Sequence, residues 1–109
     1  MFVTSDSSAY ARFQRSLATG DVSLVIAAAL ELPRVALDDA LRICLLLRDG
    51  DQDRYQRAAV RWLGRFALEA RGVTIDDLRR AADAFATLPQ RPDEAIGALH
   101  HLCVARGVT

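Results

Sequence analysis

The sequence predicts an all-α fold of about six helices, paired as three antiparallel hairpins in a short right-handed solenoid or a compact bundle. Three observations carry this. Apolar residues recur at helical spacing through most of the 109 residues. No stretch alternates with the period of two that half-buried strands require. Glycine or proline interrupts the pattern at intervals, leaving joints of roughly two to six residues that force neighbouring helices to pack antiparallel.

The first helix is expected over residues 8–19, with Ser7 as N-cap and Gly20 as the stop. Asp21 caps a second helix that ends before Pro33. Its interior, from Val22 to Leu30, is apolar almost all round, and a helix of that kind is normally buried on most faces. It is therefore expected, with the third helix, to form the hydrophobic centre. The third runs over 36–48 with a narrow polar strip of Asp38, Asp39 and Arg42, and Gly50 breaks it. The fourth and longest covers 52–71, closed at C′ by Gly72. Thr74 with Asp77 three residues on resembles a capping box and starts a fifth helix, which ends near Leu88. Pro92 opens a sixth from a first-turn position, and Gly107 terminates it.

Residues 1–109 read as one domain, a size near the middle of the domain range. Surface scaling gives about 6,000 Å² exposed when folded against roughly 17,000 Å² for the open chain, enough burial to need no disulfide or metal staple. Cys44 and Cys103 are the two cysteines, each inside an apolar helical pattern, which reads as buried reduced thiols. Residues 1–8 lack the basic and apolar regions of a signal peptide. The apolar run 22–30 is less than half a membrane span. A cytoplasmic protein with no membrane association is expected.

Formal net charge is +0, which argues against an electrostatic grip on nucleic acid or an acidic membrane. It also leaves the surface weakly self-repelling, and with a mean hydropathy of +0.09 this favours self-association, a homodimer being the simplest form. All 14 basic residues are arginine, and lysine and asparagine are absent. That bias fits the codon usage of a GC-rich bacterial genome.

A weak internal echo runs along the chain. Phe13, Leu17 and Gly20-Asp21 lead to Ala27-Ala28 and Leu32-Pro33; Leu45 and Asp49-Gly50-Asp51 lead to Tyr55, Ala58-Ala59 and Trp62-Leu63. Leu88-Pro89 and Pro92-Asp93-Glu94 lead to Ala95, Ala98-Leu99 and Leu102. In each, small residues after a turn let the second helix pack close. The pattern loosely resembles the tetratricopeptide class of helical-hairpin repeats over most of the chain. The resemblance implies a scaffold that binds peptides or protein segments along one helical face.

The sharpest local feature is a stripe on the fourth helix. Arg54, Arg57, Arg61 and Arg65 fall at i, i+3, i+7 and i+11, within about an 80° sector. Tyr55, Ala59, Trp62, Leu63, Phe66 and Ala70 take the other side; the aromatics read as core, or in the case of Trp62 as a subunit boundary. Four guanidinium groups in a row can grip an acidic protein partner or successive phosphates. The bland reading is a solvated face balanced by Asp49, Asp51 and Asp53. The absence of aromatics interleaved in the stripe weighs against nucleic acid.

The remaining clusters point to structure rather than chemistry. Asp49-Gly50-Asp51-Gln52-Asp53 has the opening spacing of a calcium loop, but Arg54 stands where the turn glycine belongs and Val60 where the bidentate carboxylate belongs. Helix end, turn and N-cap explain these aspartates better. His100, His101 and Cys103 offer one short pair where structural zinc wants four ligands. A buried thiol with one histidine on the surface and the other at the core edge is expected. A hydrolase or redox site at His100 and Cys103 would need a third group to orient the base. No phosphate-cradling glycine loop or serine elbow is present. The expectation is therefore a non-enzymatic interaction module without cofactor or metal, an adaptor or regulatory subunit that binds a protein partner or peptide segment. The competing reading is a nucleic-acid-binding regulator that contacts phosphates through the arginine stripe.

Overall fold

A computed structural model describes the backbone of residues 5–108 and the side chains of residues 8–108. Six helices follow one another: α1 (Ser5–Thr19), α2 (Val22–Leu30), α3 (Leu37–Leu47), α4 (Gln52–Glu69), α5 (Ile75–Thr87) and α6 (Pro92–Ala105). No strand occurs among the described residues. The closest packing is within α1/α2, α3/α4 and α5/α6, so the chain is three successive hairpins, each resting on the next. The radius of gyration, 14.3 Å, exceeds the roughly 13 Å of an equally long compact globule, as a row of hairpins should.

Local chemistry sets most boundaries. Asp21 Oδ1 accepts the Leu24 N–H at 3.2 Å, and Asp51 Oδ1 accepts that of Arg54 at 3.1 Å. Thr74 and Asp77 form a reciprocal capping box, each side chain accepting the other's backbone N–H at 3.1 and 3.0 Å. Gly20, Gly72 and Gly107 adopt positive φ (71°, 64° and 74°), a region in which a Cβ is strained. Two ends differ from expectation. α1 begins at Ser5, so Ser7 lies inside the helix and is not its N-cap. α4 ends at Glu69 because Ala70 turns extended (ψ 160°), which frees the Arg71 N–H to donate to the Arg106 carbonyl at 2.9 Å. Gly72 is therefore the bend of a loop tied to the end of α6 rather than the cap of α4.

The continuous core is drawn from α3, α4, α5 and α6, so α3 contributes as expected, while α2 reaches it only through half-buried Val22. Trp62 is the centre of this core. The indole stacks on Phe66 at 5.4 Å between centroids, meets Phe85 edge-on at 5.3 Å, and donates its Nε1–H to the Leu37 carbonyl at 2.8 Å. Tyr55, equally buried, donates its hydroxyl to the Phe85 carbonyl at 2.7 Å. Both polar atoms are thus satisfied inside an apolar interior. The expectation that α2 forms the hydrophobic centre is overturned: within α2 only Val25 is buried, while Leu24 and Leu30 are 50% and 81% exposed. The cause is position. α2 belongs to the first hairpin of the row and packs closely only on α1 and α3.

Of the polar strip of α3, only Asp39 faces inward, while Asp38 and Arg42 stay exposed. Asp39 is buried, accepting hydrogen bonds from Tyr10 Oη at 3.2 Å and Gln14 Nε2 at 3.4 Å, while Arg42 donates to Gln14 Oε1 at 3.0 Å. These bonds fasten the first hairpin to the second.

A groove bounded by arginines between the first and second hairpins

Where the first hairpin meets the second, α2, α3 and α4 leave a groove of about 420 Å³. One wall is α2, with Ile26, Ala29 and Leu30; the floor is Ile43 and Leu47 of α3, with Val35 at one end. The second wall is α4, with Ala58 and the side chains of Arg54, Arg57 and Arg61. The size lies within the range of small ligand sites, and the lining is apolar apart from the arginines.

The arginine stripe does not point straight away from the core. At about 100° per residue its midline lies roughly 120–130° around α4 from that of Tyr55, Ala59, Trp62 and Phe66, which turns it toward α2. Three of its four members line the groove. The fourth does not: Arg65 is closed onto Glu69, Nε to Oε2 at 2.7 Å, and Arg34 reaches the same carboxylate at 2.7 Å. These two guanidinium groups hold the Glu69 carboxyl below its usual range, the Arg65 hydrogen bond being the largest cause. Among the described residues, no carboxylate lies within 4.0 Å of the guanidinium nitrogens of Arg54, Arg57 or Arg61.

Of the aspartates expected to balance the stripe, Asp49 and Asp51 are engaged elsewhere, and Asp53 is exposed with no ion pair within 4.0 Å among the described residues. Asp49 Oδ1 is 3.3 Å from Arg48 Nε, Asp51 caps α4, and Asp53 lies in the first turn of that helix. The calcium-like spacing is thus a helix end, a turn and a cap. A second depression, of about 320 Å³ between α1 and α2, holds fewer free charges: Arg12 on its rim is paired with Glu31 at 2.6 Å, which leaves Arg15 as its one guanidinium without an ion pair among the described residues.

The other candidates do not come together. Both His100 and His101 are exposed, so neither sits at the core edge, whereas Cys103 is buried. Burial pushes the Cys103 thiol up to about 11 and that of Cys44 up to about 12, so neither is a ready thiolate near neutral pH. No cluster of three or more histidine, cysteine or carboxylate groups able to hold a metal occurs among the described residues. None of their helices is long and apolar enough to cross a membrane.

Sequence reasoning found the arginines and missed the apolar wall of α2. Ile26 and Leu30 read as core, because helical periodicity marks an apolar face without saying what covers it, whereas Leu47 is core and Ile43 packs against it. The available signal was surplus: α2 is apolar all round, yet only nine residues long and bounded by Gly20 and Pro33.

Fold and groove together define a class, an all-α row of helical hairpins with a cation-rimmed apolar groove at one junction. Comparison with protein-family models, with curated proteins and with solved structures finds no match for the chain.

Proposed function

We propose that this protein is a non-enzymatic interaction module, an adaptor or regulatory subunit of the bacterial cytoplasm, and that a segment of a protein partner docks in the groove between α2 and α4. One observation carries the reading: Arg54, Arg57 and Arg61 stand unpaired beside an apolar floor. Exposed charges are normally balanced by neighbours at little energetic gain. Leaving three like charges together over about 10 Å of helix, next to side chains that lose energy in water, suits a surface that a partner completes. The partner supplies apolar side chains to the floor and carboxylates to the rim. The hairpin pattern similar to tetratricopeptide repeats supports the same use of a helical face.

The test is capture from a lysate of the source organism with the chain as bait, followed by light scattering on the purified complex. Leu30→Asp and Arg57→Ala/Arg61→Ala baits, folded by circular dichroism, should lose the partner that the wild-type chain retains. Leu68→Asp, which alters an 87% exposed residue outside the groove, should keep it. A partner held equally by all four baits overturns the proposal. Binding that falls steeply with salt and ignores Leu30→Asp belongs to phosphates, and would favour the nucleic-acid regulator instead.

A further inference from the structure

We infer that the segment accepted by the groove is an amphipathic α-helix of a different protein, with carboxylates at i, i+3 (or i+4) and i+7 beside an apolar face. The inference rests on the groove reading above and adds the form and chemistry of the occupant.

The helical form follows from what the walls lack. α2, α3 and α4 are helices whose backbone groups are already paired, and no sheet edge exists among the described residues. An extended segment lying on Ile26, Leu30, Ile43 and Leu47 would set its own N–H groups against hydrocarbon with no acceptor in reach, since the arginines of the rim can only donate. A helix satisfies its backbone internally and presents only side chains, which is the helix-in-groove mode of recognition.

The spacing follows from α4. Arg54, Arg57 and Arg61 repeat at three and then four residues, and a helix laid alongside shares the same rise of about 1.5 Å per residue. Carboxylates at matching intervals meet all three guanidinium groups, whether the helix runs parallel or antiparallel to α4. The apolar rails repeat likewise, Ile26 to Leu30 on α2 and Ile43 to Leu47 on α3, each at i, i+4.

A second copy of the chain does not meet this requirement. The carboxylates of α3 are Asp38 and Asp39, those of α6 are Asp93 and Glu94, and α4 carries Asp53 and Glu69. α5 offers Asp76 and Asp83 at i, i+7, but Arg80 stands between them and pairs with Asp76 at 2.9 Å. No helix of the described residues presents three carboxylates at the needed intervals.

The probe is a synthetic amphipathic peptide with three glutamates at i, i+3 and i+7 beside a leucine face, followed by fluorescence anisotropy and circular dichroism. Three controls accompany it: glutamine for glutamate, a central proline, and a single-stranded RNA dodecamer. Expected is saturable binding with a gain in helicity, weakened about tenfold by Arg57→Ala/Arg61→Ala or by the glutamine peptide. It should be weakened further by the proline, which a helix interior does not tolerate. Equal binding of the proline peptide overturns the helical form but leaves the groove reading standing. Failure of the glutamate peptide to bind, in a protein whose partner capture still depends on Leu30, overturns the carboxylate spacing in the same way. RNA binding tighter than peptide binding and indifferent to Leu30→Asp overturns both.

Discussion

Arg106, just past the end of α6, donates from Nε to Asp77 Oδ2 at 2.8 Å, and Asp77 is at the same time the N3 residue of the α5 capping box. One buried carboxylate thus closes the start of α5 and holds the end of the last hairpin. Two of the three left-handed glycines, Gly72 and Gly107, fit around this joint. A Cβ on Gly72 would lie 3.7 Å from Arg106, and one on Gly107 would lie 3.8 Å from Arg71, so each bend passes close to the other's arginine.

Asp77 therefore makes stability depend on acid. Its carboxyl is held below the usual 3.8, first by the Thr74 backbone hydrogen bond and then by Arg106. A group with a depressed folded value contributes fully above the unfolded value and loses that contribution as pH falls through the folded one. Asp77→Asn should thus be destabilised relative to wild type near neutral pH, with the gap closing in urea titrations as pH falls below the usual 3.8. Thr74→Ala, which removes the other half of the box, should cost about 1 kcal/mol. A gap between Asp77→Asn and wild type that stays constant with pH would contradict this assignment.

The centre of the fold gives a contrast between two apolar positions. Trp62→Phe removes the indole hydrogen bond to the Leu37 carbonyl and opens space beside Phe85, so a loss of about 1–3 kcal/mol is expected. Leu30→Ala, at a residue 81% exposed, should change stability by no more than about 0.5 kcal/mol. Chemical denaturation of the two variants measures both. Comparable losses would mean that α2 belongs to the core after all.

That contrast also marks where sequence is an adequate guide. Caps and stops at Asp21, Asp51, Thr74, Pro92 and Gly107 were legible because each depends on residues within a few positions of itself. The arginine spacing was legible for the same reason. What α2 faces was not, since an apolar wall and an apolar core have the same periodicity, and only the order of the hairpins decides between them. Asp39 misled for a related reason: its partners Tyr10 and Gln14 lie on α1, 29 and 25 residues away. The early end of α4 depends on Arg106, further still along the chain.

The two cysteines provide a chemical readout of burial. Native Cys44 and Cys103, raised to about 12 and about 11, should react with a thiol reagent near pH 8 only at the rate at which the protein opens. Both should react promptly in denaturant. Because these thiols are held protonated, their contribution is present below the unfolded value of 9.0 and is lost as pH rises toward the folded values. Stability should therefore fall above about pH 9. Rapid native labelling of Cys103 would reopen a reactive role for it beside His100.

The four arginines of α4 should divide three to one. Arg65 is engaged with Glu69, so Arg65→Ala should cost a few tenths of a kcal/mol in stability, the usual worth of an i, i+4 pair, and leave partner binding unchanged. Arg57 and Arg61 have no such partner among the described residues. Replacing both by alanine removes mutual repulsion and improves helix propensity, so stability should stay level or rise slightly while partner affinity falls. Opposite signs for fold and function are what distinguish a surface kept for binding from a merely solvated face. Paired measurements of melting temperature and affinity on these variants test this directly. Affinity lost equally at Arg65 and Arg57 would make the stripe a uniform patch of charge, and the groove would lose its claim to it.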